Sequence, residues 1–147
     1  MKLSHLDEKG AAHMVDVGSK PVQQRDATAS ATLWCAEATT QLLRDQALPK
    51  GDVLAVARIA GIQAAKKTSD LIPLCHLLPL DQVGVEFDVC SDHIAVTATA
   101  RTTSKTGVEM EALTAASVAA LTLFDMMKAV DKSMRIGDIR VLTKTKK

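Results

Sequence analysis

At 147 residues the chain reads as one domain, 1–147, long enough for a full core, and its 47% apolar and 24% charged residues exclude a disordered chain. Aromatic residues are only 2%, with no Tyr, so the stacking platforms that single-stranded nucleic acids need are missing. The net charge of +1 is uneven: residues 1–100 carry nine basic against twelve acidic side chains and residues 101–147 nine against five, a basic third that suits an anionic small molecule or, at Lys146 and Lys147, a solvated tail.

Residues 1–10 are polar and read as mobile. Met14–Val17 is a short strand candidate, stopped by Gly18, Ser19 and Pro21. From Val22 to Leu33 small and polar residues alternate, with Ala27, Ala29 and Ala31 on one face, which predicts a strand. Cys35 to Gln46 has helical spacing and ends before Pro49-Lys-Gly51. Asp52 is placed to cap a second helix, Val53 to Lys67, closed by Thr68-Ser-Asp70. Leu71 to Pro79 is an apolar loop with two prolines. Val83, Val85, Phe87 and Val89, then Ile94, Val96, Ala98 and Ala100, alternate on either side of Ser91-Asp92, which predicts a hairpin. A long helix, apolar nearly all round and therefore expected to be buried, spans Gly107 to Lys132, and a last strand spans Asp138 to Thr143. The order β, α(α), β, β, α, β predicts an α+β fold: a split βαβ unit of ferredoxin-like type, with an antiparallel sheet and helices packed on one face.

Three cysteines without CxxC spacing suit a reducing cytoplasm. His5, Asp7 and Glu8 stand where an export signal would be apolar, and no apolar run is read as a membrane span.

Charged groups on a buried helix are costly unless paired or used. Asp125 and Lys128, three apart, share one helix face, as a surface ion pair or as an acid–base pair. Their flanks Leu121, Leu123, Phe124, Met126, Met127 and Val130 favour a partly buried Lys128, whose pKa would be pulled down. Glu109 and Glu111 either complement the helix dipole or belong to a site. Glu111 and Asp125 stand roughly 21 Å apart along the axis, too far for one compact site in one chain. His76 is a structural histidine or a donor and proton carrier. A zinc set of Cys75, His76, Cys90 and His93 matches no compact pattern, so no metal is assigned. Lys20, Arg25, Lys50, Lys66, Lys67 and Lys144 are candidate phosphate contacts, and with no P-loop or GxGxxG any nucleotide would be held by side chains.

Thr106-Gly-Val-Glu-Met-Glu-Ala-Leu113 and the helix it opens resemble the molybdenum cofactor biosynthesis protein C family, the cyclic pyranopterin monophosphate synthases. So do His13-Met-Val-Asp-Val17, Lys50-Gly-Asp-Val53, Ala57-Arg-Ile-Ala-Gly-Ile-Gln-Ala-Ala-Lys66 and Asp70-Leu-Ile-Pro-Leu-Cys-His76, in order from about residue 11 to 144. The resemblance implies a lyase that converts 3′,8-cyclo-7,8-dihydroguanosine 5′-triphosphate, a GTP-derived substrate, to cyclic pyranopterin monophosphate and pyrophosphate. It implies a ferredoxin-like subunit and a homo-hexamer, a trimer of dimers, with sites between subunits. Asp125, Lys128 and Lys50 match its catalytic residues. Leu74, Cys75, His76, Met110 and Glu111 match substrate-binding segments, with Glu109 beside them. Lys20, Arg25, Lys66 and Lys144 match basic positions for the triphosphate. The chemistry expected is acid–base catalysis without a metal or redox cofactor, with Mg²⁺ compatible with the triphosphate, and with neither nucleic acid nor membrane as partner. Three departures stand out: Leu77-Leu-Pro79 follows His76 where proline is common, Phe124 replaces a usual tyrosine, and a Gly-Gly-Lys-Ser-Gly tail is absent. Two other readings compete: a non-catalytic module that binds a nucleotide or pterin, and an interaction protein whose apolar helix is only an interface.

Overall fold

The computed structural model describes residues 2–147. Eight elements follow one another: β1 (Gln23–Trp34), α1 (Glu37–Arg44), α2 (Val53–Lys66), α3 (Thr68–Leu71), β2 (Gln82–Val89), β3 (His93–Ser104), α4 (Glu109–Met127) and β4 (Arg135–Lys146). The strands form one antiparallel sheet in the order β2-β3-β1-β4. This is the split βαβ arrangement of a ferredoxin-like fold, as the alternation of elements predicted.

The strand pattern decides which face is covered. Ala27, Ala29, Ala31 and Leu33 of β1 and Ile94, Val96, Ala98 and Ala100 of β3 are fully buried, and each alternates with a less buried neighbour. Against them lies α4, through Ala112, Ala115, Ala116, Ala119, Ala120 and Leu123. The small side chains bring backbones close. A Cβ added to Gly61 of α2 would sit 2.9 Å from the Ala115 carbonyl oxygen and 3.2 Å from the Ala119 Cβ. Only glycine permits that approach, and α2 runs antiparallel to α4 across it.

Several boundaries differ from the sequence reading, for physical reasons. Helix α4 is shorter than Gly107–Lys132, and it buries one face while Leu121, Asp125 and Lys128 face outward. It is also long and apolar enough to meet a membrane-span criterion by composition, contrary to the reading that no run is, yet its alanine face packs on the sheet. Met14–Val17 forms no strand. The turn Thr68–Asp70 continues as the short helix α3, where the Thr68 hydroxyl donates to the Ala64 and Ala65 carbonyls. Strand β4 runs beyond Thr143, with Lys146 paired to Arg25 and the Lys147 amide donating to Gln24, so this end is an edge strand and not a loose tail. Its pairing with β1 is interrupted by register shifts between Thr28 and Ala29 and between Ser30 and Thr32.

Two caps fix helix starts. Asp52 Oδ1 accepts from the Ala55 amide at 3.1 Å, as its position before α2 predicted. Helix α1 has no capping side chain of its own. The buried Asp131, beyond the end of α4, serves instead: Oδ2 accepts from the Ala36 amide (2.9 Å) and the Thr39 hydroxyl (2.7 Å), and Oδ1 from the Ser133 amide (2.8 Å) and hydroxyl (2.6 Å). Burial raises its pKa, but these donors outweigh burial and bring it down to about 2.

Candidate active site

The C-terminal end of α4 gathers three of the predicted residues. Lys50 sits in the turn before α2, and the antiparallel packing of α2 on α4 carries it to Asp125. Its Nζ donates to the Asp125 carbonyl at 3.1 Å and lies 3.7 Å from Oδ2, while Lys128 Nζ lies 2.9 Å from Oδ1. The aspartate is thus shared by two lysines, and hydrogen bonding from Lys128 and the charges of both hold its carboxyl below the usual range. Lys128 is not partly buried as its apolar flanks suggested: its side chain is 54% exposed and that of Asp125 60%. Helix geometry explains this, since Leu123, Met126 and Met127 turn into the core while residues 125 and 128 share the outer face. The Lys132 side chain closes on the Lys128 carbonyl at 2.7 Å, and Asp131 anchors the turn that follows.

The N-terminal end of α4 gathers the others. Glu111 is 3% exposed, and among the described residues its Oε1 has no hydrogen-bond partner. Burial raises its pKa, as does the charge of Glu109. Cys75 Sγ lies 3.9 Å from Glu111 Oε2; burial and the two nearby acids push the thiol up to about 11, so it is neutral at physiological pH. Leu74, Cys75 and Met110 line a largely apolar cleft of about 400 Å³, joined by Ile72 and by His5. The next residue of the loop, His76, donates through Nε2 to the Val15 carbonyl at 2.5 Å. Glu109 Oε1 pairs with Lys144 Nζ at 3.2 Å, and Oε2 is buried without a partner among the described residues. A Cβ on Gly107 would overlap that carboxylate, so the glycine leaves it room.

Beside these acids Lys20, Arg25 and Lys144, with Thr145 and Lys146, line a second cleft of about 330 Å³. Arg25 is buried; its guanidinium reaches Gln23 Oε1 and the Lys105 carbonyl, both at 3.4 Å, and its Nε has no partner among the described residues. Orphaned buried donors and acceptors are rare and mark places where a ligand can complete the network. Lys66, at the C-terminal end of α2, lies exposed toward this same end of α4. A third cleft, about 690 Å³, lies within the segment Lys2 to His13 and is lined by none of the predicted site residues.

Cys90 and His93 lie at the β2–β3 turn, remote from Cys75 and His76 across the fold, and among the described residues no group of three or more His, Cys, Asp or Glu is arranged to hold a metal. Three contributions were not read from the sequence: the Val15 carbonyl, Asp131, and Lys105, whose Nζ donates to the Gly18 carbonyl at 3.1 Å. Only Asp131 left a local signal, a serine two residues on, in the spacing of an Asx turn.

Residues 14–147 match the model of the MoaC family. The cyclic pyranopterin monophosphate synthase of Streptomyces coelicolor is 57% identical over 144 residues, covering 98% of this chain and 85% of that protein. Cyclic pyranopterin monophosphate synthase 2 of Mycobacterium tuberculosis H37Rv is 59% identical over 143 residues, covering 97% and 86%. The synthase of Chloroflexus aggregans is 56% identical over 145 residues, covering 97% and 88%.

Proposed function

Because the chain belongs to the MoaC family, we propose that it carries out the cyclic pyranopterin monophosphate synthase reaction of molybdenum cofactor biosynthesis. It is an enzyme, a lyase that turns 3′,8-cyclo-7,8-dihydroguanosine 5′-triphosphate into cyclic pyranopterin monophosphate and pyrophosphate. The observation that carries the site assignment is the meeting of Lys50 and Lys128 on Asp125.

The rearrangement exchanges bonds without net gain or loss of electrons, so proton transfer and charge stabilisation are what the protein supplies. Lys128 and Lys50 move protons as the ribose-derived ring opens and the pterin ring closes. Asp125 stays ionised and holds Lys128 in place. A sugar-derived oxygen bonds to the α-phosphorus as the bond to the leaving pyrophosphate breaks. Lys20, Arg25, Lys66 and Lys144 hold the triphosphate and neutralise the charge that gathers on the leaving group. The apolar cleft of Leu74, Cys75 and Met110 takes the ring system, and Glu111 accepts from ring N–H donors, with Glu109 beside it. No resident cofactor enters this scheme, and Mg²⁺ would arrive with the triphosphate as part of the substrate.

The two clusters stand at opposite ends of α4, roughly 21 Å apart at 1.5 Å per residue, and a substrate of this size does not span them within one chain. The proposal therefore includes a homo-oligomer, a hexamer built as a trimer of dimers, in which the end of α4 from one subunit meets the opposite end from another. It also places the protein in the cytoplasm, where its three unpaired thiols persist.

The test is pyrophosphate release from the cyclised triphosphate. The wild-type chain is expected to turn over, and Lys128→Ala to lose a factor of about 10²–10⁴ while its fold is unchanged. Binding without release by the wild-type chain would support a non-catalytic module instead.

A further inference from the structure

A carbonyl oxygen only accepts hydrogen bonds, so where His76 Nε2 meets the Val15 carbonyl at 2.5 Å the ring nitrogen must be the donor. A neutral imidazole carries one N–H, which leaves Nδ1 as a bare acceptor. Among the described residues Nδ1 has no partner, and it is not among the fully buried orphaned atoms, so it is an open acceptor that is not sealed from solvent.

The Val15 carbonyl is itself held on both sides. Upstream, Asp7 Oδ1 accepts from the Lys9 and Ala11 amides, and the His13 amide donates to the His5 carbonyl, which closes the segment into a small hairpin. Downstream, Asp16 Oδ1 accepts from the Gly18 amide and Lys105 reaches the Gly18 carbonyl. His5 of the same segment lines the apolar cleft with Leu74, Cys75 and Met110. The N-terminal arm is part of the wall of this half-site.

We infer that the main-chain carbonyl of Val15 is a positioning group that fixes the tautomer of His76, so that Nδ1 is the acceptor His76 offers to the substrate. The inference rests on the proposed function, with His76, the neighbour of the cleft residues Leu74 and Cys75, taken to meet the substrate bound there, and it narrows what His76 recognises. The matching group is an N–H or O–H donor on the base-derived or ribose-derived ring. An ionised phosphate oxygen has no hydrogen to give, so the triphosphate falls to Lys20, Arg25, Lys66 and Lys144.

Long-range ¹⁵N–¹H correlation spectra of the full chain in its native assembly, taken at about pH 8 and so above the ordinary histidine pKa, read the tautomer without substrate. A protonated Nε2 with a bare Nδ1 is expected, and a protonated Nδ1 overturns the inference. Two variants then separate the nitrogens. His76→Gln places an amide N–H near the position of Nε2 but offers no acceptor at Nδ1, so KM should rise about tenfold while amide exchange in residues 3–17 stays slow. His76→Asn keeps an acceptor near Nδ1 but falls short of Val15, so exchange in the arm should quicken. A His76→Gln protein with wild-type KM overturns the acceptor role. The spectrum needs no turnover, so an inactive wild-type chain would count against the proposed function and not against the tautomer.

Discussion

The two ends of α4 solve opposite problems. At the C-terminal end Lys50, Asp125 and Lys128 are exposed and matched in hydrogen bonds, an arrangement that costs little to fold and adds little stability. At the N-terminal end Glu111 is withdrawn from water, Glu109 has one buried oxygen, and among the described residues both keep an unpartnered oxygen beside a walled cleft, an arrangement that is costly until a ligand supplies donors. One end has mobile protons and no walls. The other has walls and unfilled hydrogen-bond positions, and no lysine paired with an aspartate. Each lacks what its opposite carries, which is why the proposed site needs two chains.

The sharpest way to break that comparison is to split it. Lys128→Ala and Glu111→Ala chains should each be inactive alone. Refolded together at equal amounts, they should regain about a quarter of wild-type pyrophosphate release if each site takes opposite ends from two subunits of a symmetric assembly. No recovery would mean that both ends of one chain serve one site.

Next in size is the anchor beneath the exposed end. Asp131→Asn leaves one carbonyl oxygen facing four donors, and should cost roughly 2 kcal/mol in thermal or denaturant unfolding. The folded-state pKa of Asp131, about 2, lies below the ordinary carboxylate value, so its contribution is present above that value and lost as pH falls through about 2. The gap between parent and variant should therefore close in strong acid, and a gap that persists there would remove the carboxylate from the explanation.

At the buried end the sign reverses. The pKa of Glu111 is raised in the folded state, so what it adds to stability is complete below the ordinary glutamate value and is lost as pH rises through the raised one. Glu111→Gln should melt higher than the parent at neutral pH, yet bind substrate about tenfold more weakly, near 1.4 kcal/mol. A variant that melts lower would show that the charge is already compensated. The smallest effect belongs to Asp52→Ala, which removes the cap behind the Lys50 turn and should cost about 1 kcal/mol with KM unchanged.

What could be read in the sequence followed the reach of each interaction. The alternation in β1 and β3 and the Asp52 cap are set by neighbours a few residues away, and both were visible. The family strings placed Lys50 with Asp125 and Lys128, and the fold brings the three together. The burial of Lys128 was misjudged because flanking apolar residues say that a helix has a core face, not which residues lie off it. Asp131 was missed because its partners Ala36 and Thr39 stand 95 and 92 residues away. Met14–Val17 has strand-like residues, but the Val15 carbonyl is engaged by a side chain of the distant loop rather than by a neighbouring strand.

The glycine–alanine seam between α2 and α4 bears on how the lysine–aspartate cluster responds to heat. Glycine and alanine have no side-chain rotamers to lose on folding and none to explore afterwards. Gly61 against Ala115 and Ala119 therefore has one contact distance rather than a family of repackings. Lys50 precedes one side of that seam and Asp125 lies along the other. The spacing of their backbones works like a gauge block, set by main chain touching main chain, and warming should loosen the two side chains well before it alters the interval between the helices that carry them.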